Sequence, residues 1–151
     1  MADTDRNTAP WHVWVVGLLA LFWNGFGATD YTMTQTENRG WFESMGFDAG
    51  TTDAILAFMD SAPMWTHAAW ALGVWGGVLA AILLMMRNKL AVPVFAVSLL
   101  GAFLGLVNYW TADYPPELRQ IADSSMMYIV VLIAAFWLFY AYRMKTAGVL
   151  R

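Results

Sequence analysis

The chain contains no cysteine. Disulfides, thiolate metal sites and cysteine nucleophiles are therefore excluded, and redox chemistry gives no clue to its compartment. Charge is scarce as well. Only 13% of the 151 residues are Asp, Glu, Lys or Arg, where a soluble domain carries about 25%. Basic residues number eight against eleven acidic ones, which leaves no basic face for a nucleic acid. The common catalytic signatures are missing too: no GxSxG, no HExxH, no phosphate-binding loop and no paired carboxylates within an apolar segment. These absences predict a protein that is not an enzyme. No repeat relates the two halves, so an inverted-repeat transporter has no support.

What the chain does have is long apolar runs, at about residues 11–28, 64–86, 90–110 and 125–142. At 1.5 Å per residue, a helix of about 20 residues covers the ~30 Å hydrocarbon layer. None of the runs holds Asp, Glu, Lys or Arg. The expectation is an all-α, polytopic membrane protein: one domain over residues 1–151, with four transmembrane helices in an antiparallel bundle. The first helix can run on to Thr36, because nothing before Asn38-Arg39-Gly40 breaks it. A cleaved signal peptide would need a basic start, and Asp3, Asp5 and Arg6 do not make one. The first run is therefore read as an anchor.

Lys and Arg divide unequally between the two ends. Arg6, Arg87, Lys89, Arg143, Lys145 and Arg151 share one side if the runs cross in alternation. Only Arg39 and Arg119 lie on the other, among nine carboxylates. By the positive-inside bias, both termini face the cytoplasm and the two longer loops face outward. Aromatic residues near the run ends, Trp11, Trp14, Trp137 and Tyr142 on one side and Trp23, Trp65, Trp110 and Tyr128 on the other, are expected as interface anchors.

Polarity inside the runs is sparse. Asn24, Gly27, Ala28 and Tyr31 share one face of helix one, and Asp30 reaches Thr34 at i+4. His67 lies one turn into the second run, on the side of Trp70, Ala71 and Val74. Asn108 lies near the outer end of the third. A ligand site at the outer leaflet would use Asn24, Asp30, Tyr31, His67 and Asn108; the competing reading pairs them between helices. His67 alone makes no metal site. A bound lipid or quinone is compatible with this patch. A tetrapyrrole on His67 is disfavoured, since Pro63 stands where a small residue is expected four positions earlier. Gly73 with Gly77, and Gly101 with Gly105, form small-xxx-small pairs that suit close helix packing in a hairpin. In the first outer loop, Thr51-Thr52-Asp53 is expected to start a short amphipathic helix carrying Ile55, Leu56, Phe58 and Met59 on one side.

Trp23-Asn24, Asp30-Tyr31 and Met33-Thr34-Gln35-Thr36 resemble a pattern found in small four-helix bacterial inner-membrane proteins that lack an assigned function. Residues 69–77 and 91–101 are similar to the same family, so the resemblance spans most of the chain. It implies a four-helix inner-membrane protein. Such proteins are often labelled sugar transporters, a label that carries no site residues across. A more distant similarity is to DoxX-like four-helix proteins. The function expected is that of an accessory or structural subunit packing against other membrane-protein subunits, or against itself, and against lipid. The alternative is a transporter or binder of a small solute, lipid or quinone.

Overall fold

The computed structural model describes residues 10–122 and 125–151. Asp3, Asp5 and Arg6, and Asp123 and Ser124 of the second long loop, lie outside them. Among the described residues, four helices are long and apolar enough to cross a membrane: α1 (Trp11–Gln35), α4 (Met64–Met85), α5 (Ala91–Thr111) and α7 (Met126–Thr146). Between α1 and α4 lie α2 (Arg39–Ser44) and α3 (Ala49–Ser61); a 3-10 turn, Pro116–Leu118, leads into α6 (Arg119–Ala122). The all-α four-helix fold is the one the apolar runs predict.

The boundaries differ in instructive ways. α7 continues to Thr146, past the expected end at residue 142. Apolarity stops at Arg143, but Arg143 and Lys145 are favourable in a last turn, against the negative end of the helix dipole. α2 was not foreseen, because Asn38-Arg39-Gly40 reads as a stop. It is one for α1, yet the Asn38 side chain also accepts the Trp41 N–H at 3.2 Å and so starts α2. α3 begins earlier than Thr51: its cap is Asp48, which accepts the Thr51 N–H at 2.8 Å. That bond holds the Asp48 carboxyl below its ordinary range. The cap is therefore complete above the usual carboxylate pKa and is lost as pH falls through the lowered one.

Four helices end alike. An N–H just beyond the helix bonds back to a carbonyl five residues earlier: Asn38 to Met33, Phe47 to Phe42, Asn88 to Leu83 and Val149 to Met144. This closure needs one left-handed residue. Gly46 and Gly148 supply it freely, but Glu37 (φ 51°) and Arg87 (φ 59°) do so with a Cβ. Glu37 is exposed. Glu37→Gly is expected to gain roughly 0.5–1 kcal/mol, the left-handed strain less the glycine entropy. Chemical unfolding in detergent micelles checks it, and a loss of stability would contradict it.

α4 is the central helix. It packs against α1 on one side and α5 on the other, and α5 packs against α7. α1 and α7 meet through a hydrogen bond between His12 Nδ1 and the Tyr140 hydroxyl, 2.6 Å. The apolar core lies toward the basic end and includes Val13, Leu84, Phe95, Ala141 and Leu150. Leu150 comes from the segment after α7, which folds back on the α4–α5 loop. There the Arg151 N–H donates to the Arg87 carbonyl (2.7 Å) and the Lys89 N–H to the Arg151 carbonyl (3.0 Å). Trp137 is in this core at 8% exposure, so it is not an interface anchor. The outward faces stay apolar, with Trp11 75%, Phe22 78% and Leu132 70% exposed. Contiguous rows of this kind belong in lipid.

Candidate functional site

Helix α1 carries its polar side chains through the apolar layer by spending them on its own backbone. The Asn24 amide donates to the Ala20 carbonyl (2.8 Å), the Thr29 hydroxyl to Gly25 (2.9 Å) and the Thr32 hydroxyl to Ala28 (2.7 Å). Without such bonds each group would be costly in hydrocarbon.

The α1–α4 seam is an antiparallel ladder. Gly17 faces Met85, Asn24 lies over Gly77, Gly27 meets Val74, Tyr31 meets Trp70 edge-on at 5.2 Å, and Gln35 bonds His67. Every step of three or four residues along α1 is matched by a similar step back along α4. Thus Asn24, Gly27, Ala28 and Tyr31 do share a face, and that face is turned to α4. Asn24 is buried.

His67 joins three elements. Its Nδ1 lies 2.9 Å from the Gln35 amide nitrogen, and its Nε2 3.1 Å from the Met59 carbonyl of α3. An amide N–H must donate and a carbonyl must accept. With the Gln35 amide in this orientation, Nδ1 accepts and Nε2 donates. Both ring nitrogens are engaged, which leaves neither for a tetrapyrrole or metal in this conformation.

Asp30 does not reach Thr34. It turns to α2 and accepts the Trp41 indole N–H at 2.8 Å. This tie draws Trp41 onto α1, where its ring meets Phe26 at 5.9 Å.

The other side of α4 forms a second ladder, with α5. The Ser98 hydroxyl donates to the Gly73 carbonyl (2.6 Å) and the Thr66 hydroxyl to Asn108 (3.4 Å). Gly101 lies on Gly73 so closely that a Cβ on it would stand 2.5 Å from the Gly73 nitrogen. The two glycine pairs do not meet as pairs. Gly73 and Gly101 face each other, whereas Gly77 receives Asn24 and Gly105 receives Met127 of α7. Each pair serves two neighbours because residues four apart are offset by about 40° around the helix and one turn along it, enough to bring a different helix opposite each.

The five residues expected at one site are therefore not gathered. Asn24, Tyr31 and His67 line the α1 seam, Asp30 points to α2, and Asn108 lies on the opposite side of α4. His12 and Tyr140 were missed; a second histidine near the start of α1 was the available signal. Among the described residues, no group of three or more His, Asp or Glu is placed to hold a metal ion.

An opening lies elsewhere, at the acidic end. A cleft of about 620 Å³ separates α3 from the second long loop and is lined by Ala54, Ala57, Phe58, Ser61, Asp113, Tyr114, Pro115, Pro116, Glu117 and Arg119. The Phe58 and Tyr114 rings stack at 4.9 Å. Burial, and Tyr109 beside it, hold the Tyr114 hydroxyl above the usual phenol range, so it stays protonated at neutral pH. Within the bundle, a smaller groove of about 270 Å³ opens between α1 and α4, lined by Gly25, Ala28, Thr29, Thr32, Met33, Trp75 and Val78.

The arrangement defines a multi-pass helical membrane protein whose polar residues are mostly engaged with one another. No protein-family model, curated protein or solved structure matches the chain.

Proposed function

We propose that this protein is a non-enzymatic integral membrane subunit that packs within a larger membrane assembly. The observation that carries the reading is the use of the intramembrane polar groups in the two seams of α4. His67, Ser98 and Asn108 bond to neighbouring helices, and Asn24 packs over Gly77 while its amide bonds within α1. The chemistry left facing outward is aromatic and aliphatic. In this reading the chain sits in a bacterial inner membrane with its basic end and both termini cytoplasmic, an orientation that the unequal division of cations supports.

Purification of the tagged chain from its native membrane in a mild detergent tests this. The expected result is a stoichiometric partner, or a defined oligomer, by native mass spectrometry. Migration only as a free monomer would overturn it. The acidic-end cleft favours a second reading, binding of a small solute. In that case the same preparation carries a small molecule, and substitutions lining the cleft remove it.

A further inference from the structure

We propose that the exposed face of α7, with the cations where it meets the basic end, binds an anionic phospholipid. α7 buries only Trp137 and Ala141, whereas α1 and α4 bury six residues each. Ile129, Leu132, Phe136 and Phe139 are exposed at steps of three or four, which places them in one stripe along the helix. One further step of four from Phe139 is Arg143. The apolar track thus runs directly into a cation, with Tyr142, 54% exposed, beside it.

Arg143 is not isolated. Lys145 shares its turn, and Lys89, Arg143 and Lys145 are all exposed. The backbone pairing of Arg151 with Arg87 and Lys89 holds the α4–α5 loop against the segment that follows α7. Residues 86–90 and 142–151 contain five Lys or Arg and no Asp or Glu. A neighbouring helix could cover the stripe but would have to bring its own anion to this level. A phospholipid brings both parts in one molecule: chains for the stripe and a phosphate at the depth where the stripe ends. Cations at a membrane surface attract anionic lipids with about fivefold in affinity each. This inference does not depend on the assembly reading above, because a monomer would bind the same lipid.

The test uses the full chain, delipidated in mild detergent and placed in nanodiscs of equimolar dioleoyl phosphatidylglycerol and dioleoyl phosphatidylcholine. Lipids that remain bound on return to detergent are counted by native mass spectrometry. Phosphatidylglycerol is expected to be retained on the order of tenfold over phosphatidylcholine. That preference should vanish in high salt, and in a K89Q/R143Q/K145Q variant whose unfolding is unchanged. Should the variant not fold, the salt dependence of the wild type decides. Equal retention of the two lipids, or a preference untouched by salt or by the variant, would overturn the proposal. So would displacement of the lipid by inorganic phosphate at matched ionic strength, which would make the site one for free anions. The absence of native cysteine allows one further arm: efficient disulfide formation between copies of a Leu132→Cys chain in the nanodisc would assign the stripe to a second copy instead.

Discussion

Gly101→Ala is expected to be among the most damaging single-methyl changes in this protein, costing about 3 kcal/mol. The added Cβ would stand 2.5 Å from the Gly73 nitrogen, 2.6 Å from the Ala69 carbonyl oxygen and 2.9 Å from the Gly73 Cα. All three are backbone atoms of α4, so no side chain can rotate out of the way. Relief requires α4 and α5 to separate, and separation stretches the 2.6 Å bond from Ser98 to the Gly73 carbonyl. It also loosens dispersion contacts along the seam, which are a main source of helix association in lipid. The cost follows that of overpacking elsewhere. Gly25→Ala is the control. Nothing lies within 4 Å of a Cβ there, and better helix propensity should add up to about 1 kcal/mol. Unfolding in mixed micelles measures both. If the two substitutions behave alike, the close approach of α4 and α5 is wrong.

The second large effect is a rescue. In Gly77→Ala the new methyl enters the space held by the Asn24 carboxamide. Asn24 is buried and tied to the Ala20 carbonyl, so it cannot swing aside without losing that bond. A cost of about 2 kcal/mol is expected. Asn24→Ala empties the same space and breaks only a bond within its own helix, for about 1 kcal/mol or less. The double substitution should then recover much of the Gly77→Ala loss, with a coupling of at least about 1 kcal/mol. Strictly additive single costs would show that the two side chains do not share the space.

Much of the fold was legible in the residues, and the reason is solvent. In hydrocarbon a helix must satisfy its own backbone, so four charge-free runs leave little alternative to four helices. The packing role of Gly73 and Gly101 was legible for a similar reason, since small residues are what brings helix backbones together in lipid. The direction in which a polar side chain is spent was not. Asp30 has Thr34 four residues on along its own helix, but the choice of Trp41 depends on where α2 lands. Asn108 and His67 have similar depth in the membrane yet lie on different sides of α4, which only the crossing of the helices decides. Residue 38 ends one helix and caps the next, a double use that a stop signal conceals. Trp137 looks like its interface neighbours in composition and differs only in the side of α7 it occupies.

The close pairs α1 with α4, α4 with α5 and α5 with α7 are each consecutive spans along the chain. During synthesis, every new span therefore finds its partner already inserted. Asn24 waits in lipid only until α4 arrives, and its bond to Ala20 covers the interval. No span has to hold open a place for one made much later, so insertion and docking can proceed in a single pass. The bond between His12 and Tyr140 is the exception: it joins the first span to the last, and it can form only when the translation of α7 is nearly complete.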